Sequence, residues 1–460
     1  MFTQTRLLSG KRAFVVVWLG QVFSLLGTAM SGFGLTVWAF ELTGKATALA
    51  MVGFFYITPM LIISPLAGAL VDRSNLKLMM MLSDMASGMA TIAVLILHAT
   101  GNLQIWHLYL TNAVSGTFQA FQWPAFSVAI TTMLPKEQYG RANGMFSLAE
   151  SGSGVMAPIL AAASLGFIGL GGVLWLDLAM LVFALSALLV AYVPQPEITA
   201  VGLESRGNLW KESVFGFSYI LKRPSLLGLQ SVFMLGNFFS GISYILLAPM
   251  ILACTNNNEV VLGSVNSVGA IGGVLGGLLM SAWGGTKRKV HGVLTGWILG
   301  GLLGEMLLGL GQTAVVWSIA LFLGSLFGPI INSSNQAIWQ AKVAPDVQGK
   351  VFSIRRLIAW VSFPMASLVA GPLADRVAEP AMRQGGAWVK TFGPLMGEGP
   401  GAGMRLIMVA VSVCIILVGL GGYAVRWVRD AETILPDQDA LPAETDAVTI
   451  KAMEGSLVSE

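Results

Sequence analysis

The sequence predicts an all-α polytopic membrane protein with twelve transmembrane helices. Of its 460 residues, 55% are hydrophobic and 11% are charged, against roughly 25% charged residues in an ordinary soluble protein. The apolar residues are gathered in twelve runs that each reach the roughly 20 residues needed to cross a bilayer as a helix. The charged residues lie mainly between the runs. A water-soluble protein of this length would need far more surface charge, so that class is excluded.

The twelve runs follow one another without a long polar insertion in either half of the chain. In order, they occupy 13–40, 46–70, 78–98, 105–133, 144–167, 170–193, 225–252, 261–283, 290–311, 314–340, 352–373 and 405–427. None shows the ten-residue alternation of an outer-membrane strand. The first run is too long for the core of a signal peptide and has no small-residue cleavage site, so we expect it to be retained.

The orientation follows from Lys and Arg, which are enriched in loops that stay in the cytoplasm. With the N-terminus inside, 21 of the 26 Lys and Arg residues fall in interior loops and tails, Arg355 and Arg356 among them. The exterior segments hold the other five, Lys45, Arg376, Arg383, Lys390 and Arg405. This asymmetry predicts a multi-pass protein of the cell (inner or plasma) membrane with both chain ends in the cytoplasm.

The two halves of the chain repeat each other. Gly140 follows the fourth run and Gly349 the tenth, while Gly68 ends the second run and Gly277 the eighth; both pairs are 209 positions apart. Repeated bundles of six helices are typical of transporters that rock about a site between the halves.

The repeat divides the chain into four predicted parts. These are a six-helix bundle over 1–193, a cytoplasmic linker over 194–224, a second bundle over 225–428 and a disordered acidic cytoplasmic tail over 429–460. In the linker, residues 209–222 have one aromatic and aliphatic face and one charged face. We expect an amphipathic helix that lies at the inner membrane surface.

A charged segment joins the second and third runs and reads Gly68-Ala69-Leu70-Val71-Asp72-Arg73-Ser74-Asn75-Leu76-Lys77. Gly68 permits close helix contact, and Asp72 and Arg73 can pair across the inner mouth or face a helix end. Pairs of this kind break when the mouth opens, so they favour one conformational state. We predict an inner gate of Gly68, Asp72, Arg73 and Lys77, joined by Asp84 of the third run.

This segment resembles the Gly-x-x-x-Asp-Arg-x-x-x-Lys signature of the major facilitator superfamily. The likeness sharpens toward the macrolide-efflux branch at 20–27, Ser83-Asp84, 345–353, 371–375 and 397–401, and it covers about 10–428. The resemblance implies a transporter that exports macrolides, siderophores or other amphipathic secondary metabolites by means of the proton gradient. It does not specify one substrate.

Two stretches depart from the pattern of drug–proton antiporters. In the fifth run, Ser153, Ala157 and Ala161 stand where the antiporter signature places glycines near a Gly-Pro, although Pro158 is kept. In the fourth run, Asn112 stands four residues before Gly116, where many antiporters have a buried Arg. A proton relay through that Arg is therefore in doubt.

Carboxyl groups inside the runs are informative because a charge in the bilayer is costly unless it is paired, protonated or hydrated. Glu150 lies at a depth where its side chain would face a central cavity, and we predict that it carries the coupled proton. The alternative is a buried carboxyl hydrogen-bonded to a neighbouring helix. Asp177 and Glu305 are interpreted as structural.

The substrate cavity is predicted to be lined by uncharged polar and aromatic side chains. The candidates are Gln21, Asn112, Gln119, Gln122, Trp123, Asn237, Asn332, Asn335 and Gln336. Glycines at every fourth position from Gly269 to Gly277 and from Gly292 to Gly304 are interpreted as helix-packing faces.

The residue inventory argues against other functions. The three histidines lack metal-ligand spacing, there is no phosphate-binding loop for an ATP-driven pump, and Gly-x-Ser-x-Gly-like stretches have no partner His. No basic stripe suggests a nucleic-acid partner. We expect no enzymatic activity and no cofactor, because the proton gradient would drive the transport.

We therefore predict a monomeric secondary transporter that exports a small amphipathic molecule in exchange for protons by alternating access. A proton-coupled importer of the same fold is the near alternative. A non-transporting membrane sensor or partner protein is the distant one.

Overall fold

The computed structural model describes residues 8–43 and 46–438, without the side chains of 40, 41 and 46–50. Within these residues the chain is helical and forms twelve segments of membrane-crossing length, which confirms the predicted fold class. Spans 1 to 12 comprise Gly10–Thr43, Ala46–Arg73, Leu76–Ala99, Ile105–Met133, 139–168, 170–190, Pro224–Cys254, Glu259–Trp283, 289–310, Ala314–Lys342, 348–382 and Ala402–Ala424.

Ten of the described helices are both long and apolar enough to cross a membrane, and two facts raise the number of spans to twelve. Tyr139–Val190 has 52 residues, or about 78 Å at 1.5 Å per residue, more than twice the hydrocarbon thickness. Gly169 breaks it with φ 65°, a conformation that favours glycine, so it counts as spans 5 and 6. Ile105–Met133 has 29 residues, enough to cross the membrane, and Asn112, Gln119 and Gln122 lower its hydropathy.

Two spans contain π-helical turns, which often lie at functional sites. In span 9 the turn is Gly300–Met306, and in span 11 it is Ala374–Ala378, which carries the helix on to Met382. The predicted exterior loop residue Arg376 therefore lies within a helix. Arg405, also expected in an exterior loop, is buried in span 12 because its guanidinium donates hydrogen bonds to the carbonyls of Gly309, Leu310 and Met396.

Each half has its own apolar core, and the halves meet along spans 2 and 11 and along spans 5, 8 and 10. The glycine rows predicted as packing faces do pack. Gly292, Gly296 and Gly304 face span 10, and a Cβ on Gly304 would lie 2.6 Å from the Cα of Gly324. Gly277 faces span 5, where its Cβ would lie 2.8 Å from the Cα of Leu148. Small residues thus set the helix separations.

Two helices, Ala200–Ser205 and Leu209–Leu221, lie in the region predicted as the linker. The second, which we call the linker helix, exposes Trp210, Val214 and Leu221 and buries Glu212. We call the end of the bundle that carries it the linker end.

The C-terminal segment differs from the expectation of a tail that is disordered from residue 429. Residues 431–434 are helical, and Asp437 lies 2.8 Å from the amino groups of both Lys136 and Lys342. Residues up to 438 thus pack against the linker end because two cations from different halves hold this acidic group. The rest of the predicted tail, 439–460, and Lys45 lie outside the described residues.

Candidate substrate cavity and linker-end gate

A cavity of about 960 Å³ lies between the two halves. Spans 2, 4 and 5 form one wall, and spans 7, 9, 10, 11 and 12 form the other. Five of the residues predicted from the sequence line it: Trp123, Glu150, Asn237, Asn332 and Gln336. Apolar side chains such as Phe233, Leu247 and Leu308 cover much of the remaining wall, so the cavity suits a ligand with both apolar and polar parts.

Two predicted cavity residues lie elsewhere, in a buried cluster around Asp84 in the first half. Asp84 accepts hydrogen bonds from Ser24 at 3.1 Å, from Gln21 at 3.4 Å and from Gln122 at 3.3 Å. Gln122 also donates to the side-chain oxygen of Gln21 at 2.8 Å. Because the carboxylate is satisfied by these donors from spans 1 and 4, the structure places Asp84 away from Asp72 and Arg73, and Gln21 and Gln122 away from the cavity.

Three further candidates also lie off the cavity wall. The amide of Asn112 donates to the carbonyl of Leu108 at 2.8 Å within span 4, and Asn335 accepts from the indole of Trp339 at 3.1 Å within span 10. Gln119 is likewise not among the lining residues. Asp177 binds Thr91 at 2.9 Å, as a structural carboxyl would.

Three charged cavity residues were missed by the sequence analysis: Glu305, Arg355 and Arg356. Arg355 and Arg356 were counted with the interior loops, although they fall at the start of the predicted run 352–373. Span 11 begins at Gln348 and places them about two turns inside it. Pro345 and Asp346, which open the short turn before the span, are the signal that could have found this start. Glu305, interpreted as structural, lies in the π-helical turn of span 9 and faces the cavity.

The two arginines form an aromatic cluster with Trp123, the residue of the first half that reaches both. The guanidinium of Arg356 lies 5.2 Å from the ring of Trp123 and 5.6 Å from that of Trp360. That of Arg355 lies 6.0 Å from Trp123 and 5.2 Å from Trp339. These distances allow cation–π attraction. Arg356 also interacts electrostatically with Glu150, so the carboxyl predicted to carry the proton has a cation on the opposite half.

The gate residue Asp72 faces a helix end, one of the two arrangements predicted. Its carboxylate accepts hydrogen bonds from the backbone N–H groups of Gly349 at 2.7 Å and Lys350 at 2.9 Å. These groups open span 11, where the helix dipole favours an anion. Gly68 permits the approach, since a Cβ there would lie 2.3 Å from the carbonyl oxygen of Gly349.

Arg73 joins the linker helix to the gate. It forms an ion pair with Glu212, to which Lys350 of the second half also lies close, at 3.3 Å. Burial opposes ionisation of Glu212, but the hydrogen bonds from Arg73 and from the N–H of Gly207, with the charge of Lys350, outweigh it and hold the pKa of this carboxyl below its usual value. Glu212, which the sequence analysis did not single out, thus ties both halves together.

Lys77, the last predicted gate residue, lies beside the network rather than in it. Its amino group donates to the carbonyls of Leu189 and Ala191, each at 3.0 Å. These carbonyls end span 6, where the helix dipole favours a cation.

Further contacts close the linker end between the halves. Asn143 of span 5 donates to Gln340 of span 10 at 2.6 Å, and Gln340 donates to the carbonyl of Ser127 at 3.0 Å. At Gly144, a Cβ would lie 2.6 Å from the backbone of Met280 in span 8. The cavity is therefore sealed toward the linker end.

Twelve membrane-length helices in two similar halves, with a cavity between them that is sealed at one end, define the class of membrane transporters rather than enzymes. The family model of the Major Facilitator Superfamily matches residues 17–367. The chain belongs to this superfamily and is a multi-pass membrane transporter of small molecules.

Two relatives indicate the branch to which the chain is similar. Macrolide efflux protein A of Streptococcus pyogenes is 23% identical over 371 residues, which are 80% of this chain and 90% of the relative. Multidrug efflux pump Tap of Mycolicibacterium fortuitum is 24% identical over 365 residues, 76% of this chain and 87% of the relative. The predicted likeness to macrolide-efflux transporters is thus confirmed.

Solved structures agree on the fold. The human organic anion transporter MFSD10 superposes with a TM-score of 0.62 at 16% identity, covering 89% of this chain and 98% of that one. The E. coli fucose:proton symporter FucP gives 0.65 at 11% identity, with the same coverage. At these identities the likeness concerns the fold alone.

Proposed function

We propose that this transporter exports small amphipathic molecules in exchange for protons by alternating access. The observation that carries the proposal is the cavity between the halves, which combines a largely apolar wall with Glu150 and a sealed linker end. The relatives named macrolide efflux protein A and multidrug efflux pump Tap support the outward direction. We expect no cofactor and a monomer.

The orientation in this proposal follows the asymmetry of Lys and Arg. It places the linker end in the cytoplasm and the protein in the cell (inner or plasma) membrane. The structure then corresponds to an outward-facing state, in which the Asp72 and Glu212 contacts hold the inner mouth closed. Inward opening would require these contacts to separate.

Glu150 is the proposed proton carrier. It lines the cavity from span 5, and Arg356 of span 11 provides an opposite charge that would attract its ionised form. A proton taken up from the outside would neutralise Glu150 and release this attraction between the halves. Release of the proton inside would restore it, so that proton movement and rocking are linked.

The experiment is an accumulation assay in cells that express the protein or an empty vector. We expect expression to lower the accumulation of a macrolide or a hydrophobic dye and a protonophore to abolish the difference. Raised uptake of a defined solute would instead support the importer. Unchanged accumulation of every amphipathic probe, with the protein present in the membrane, would contradict export.

A further inference from the structure

Arg355 is a buried cation for which the described part of the chain supplies no anion. It is 8% exposed and lines the cavity. Among the described residues, no carboxylate lies within 4.0 Å of its guanidinium nitrogens, and its Nη1 has no hydrogen-bond partner. An unpaired buried charge is strongly unfavourable, so a structural role alone does not account for it.

The cavity carboxyls do not neutralise this charge. Glu150 interacts electrostatically with Arg356, and Glu305 lies on span 9 without an ion pair to Arg355. The neighbours that the guanidinium does have are rings, those of Trp339 at 5.2 Å, Phe352 at 5.6 Å and Trp123 at 6.0 Å. The rings hold the guanidinium in place and leave its hydrogen-bond donors available.

Arg355 also has a defined position relative to the apolar wall. It is seven residues beyond the start of span 11, or about 10 Å from the sealed end at 1.5 Å per residue. Among the described residues, further polar atoms around the cavity lack hydrogen-bond partners, including Gln230 Oε1, Trp297 Nε1 and both amide atoms of Gln336. A ligand at Arg355 would therefore meet its guanidinium and neutral polar groups, in a cavity that also holds Arg356, Glu150 and Glu305. Phe233, Leu247 and Leu308 are available to its apolar part.

We infer that the substrate is an amphipathic organic anion, whose carboxylate, sulfonate or phosphate group binds the guanidinium of Arg355. A planar guanidinium can hold such a group through two parallel hydrogen bonds. The anion would remove the cost of the unpaired charge, and the apolar body would lie along the wall. This inference rests on the proposed function for the direction of transport, but binding itself requires neither export nor protons.

The test measures binding to the purified transporter in lipid nanodiscs at neutral pH, as the rise in Tm with ligand concentration. Three probes share one apolar body and differ in charge: para-hexylbenzoate, para-hexylbenzamide and para-hexylbenzylammonium. We expect the benzoate to half-saturate the effect at a concentration about 10- to 100-fold lower than the benzamide. Hydrogen bonds between two charged groups contribute more binding free energy than hydrogen bonds to a neutral amide, and the difference corresponds to this change in affinity. The ammonium probe should bind no better than the benzamide.

Variants separate recognition by Arg355 from a structural role. Arg355→Gln should lose the preference for the benzoate without a lower Tm in the absence of ligand, since an unpaired charge is removed. Arg355→Lys should keep a reduced preference, and Arg206→Gln, which removes an exposed charge in the linker, should behave like the parent. If Arg355→Gln does not fold, the parent and Arg355→Lys decide.

Equal half-saturation by benzoate and benzamide in the parent would overturn the inference, as would a full preference for the benzoate in Arg355→Gln. If either outcome occurs and the accumulation assay still shows export of neutral or cationic dyes, the inference of an anionic substrate fails and the proposed export function stands. Anion preference without any export would support the inference and reject the proposed function.

Discussion

At the scale of single residues, Asp72 shows how one side chain favours a conformational state. Its two carboxylate oxygens bind two N–H groups at the start of span 11 on the opposite half. These donors have no intrahelical partner, and the charge of the carboxylate adds a favourable interaction with the helix dipole. Opening of the linker end would break both hydrogen bonds at once.

Asp72→Asn should therefore weaken the closed linker end by about 1–3 kcal/mol, because an amide retains one acceptor oxygen and has no charge. We expect a lower rate of protonophore-sensitive export at normal membrane abundance. Asp375→Asn, at an exposed carboxyl in the π-helical turn of span 11, is the matched control. Equal export by Asp72→Asn and the parent would remove the gating role.

The residues show why part of the site could be predicted from the sequence and part could not. Trp123, Asn237 and Glu150 were found because polar and aromatic groups deep in an apolar run need a cavity or a partner. The same reasoning selected Gln21 as a cavity residue, but its partner is Asp84. This error arose because the sequence does not show which helices are neighbours. Arg355 was missed because charge alone was taken to mark a loop.

At the scale of elements, close helix approach depends on glycine at particular turns. Span 5 contains Gly144, where a Cβ would meet the backbone of Met280 at 2.6 Å. It also contains Gly154, where a Cβ would have no neighbour within 4 Å among the described residues. The predicted packing faces in spans 8 and 9 were recognisable from their spacing. The contact of Gly144 was not recognised, because Gly140 and Gly144 form a single pair at this spacing rather than a longer row.

Gly144→Ala should lower the free energy of unfolding by about 1–3 kcal/mol, since backbone atoms of span 8 cannot move aside without separating the halves. Gly154→Ala in the same helix should be neutral or slightly stabilising, because alanine is the better helix former. Thermal unfolding in nanodiscs measures both. A Tm for Gly144→Ala equal to that of Gly154→Ala would contradict the close contact.

The linker helix adds an electrostatic clamp at the same end. Because the pKa of Glu212 is lowered in the folded protein, its contribution to stability is fully present above the ordinary Glu pKa of about 4.3 and is lost as the pH falls through the lower folded value. The Tm of the parent should therefore fall more steeply below about pH 4.3 than that of Glu212→Gln.

Glu212→Gln should itself cost about 3 kcal/mol near neutral pH, since Lys350 is left buried without its anion. Glu204→Gln, at an exposed position of the preceding helix, is the matched control. Parallel Tm curves for the parent and Glu212→Gln over this pH range would mean that the clamp is not an ionised pair in the folded state.

At the scale of the whole molecule, both the number of spans and their division into two halves could be predicted from the sequence. Apolar runs of sufficient length and the recurrence of Gly68 and Gly140 after 209 residues predict twelve helices in two halves. Local sequence did not predict that the segment up to 438 would pack across the linker end. That packing depends on Lys136 and Lys342 meeting one carboxyl, Asp437, from distant parts of the chain.

The central claim is that proton movement through Glu150 drives uphill export. Its most direct test uses vesicles that contain the purified transporter and an amphipathic probe it exports, with an imposed pH gradient and measured movement of the probe against its own gradient. We predict uphill movement by the parent and by Glu197→Gln, an exposed control. Glu150→Gln should still bind the probe but no longer move it uphill or respond to the pH gradient. Uphill transport by Glu150→Gln equal to that of the parent would contradict the account.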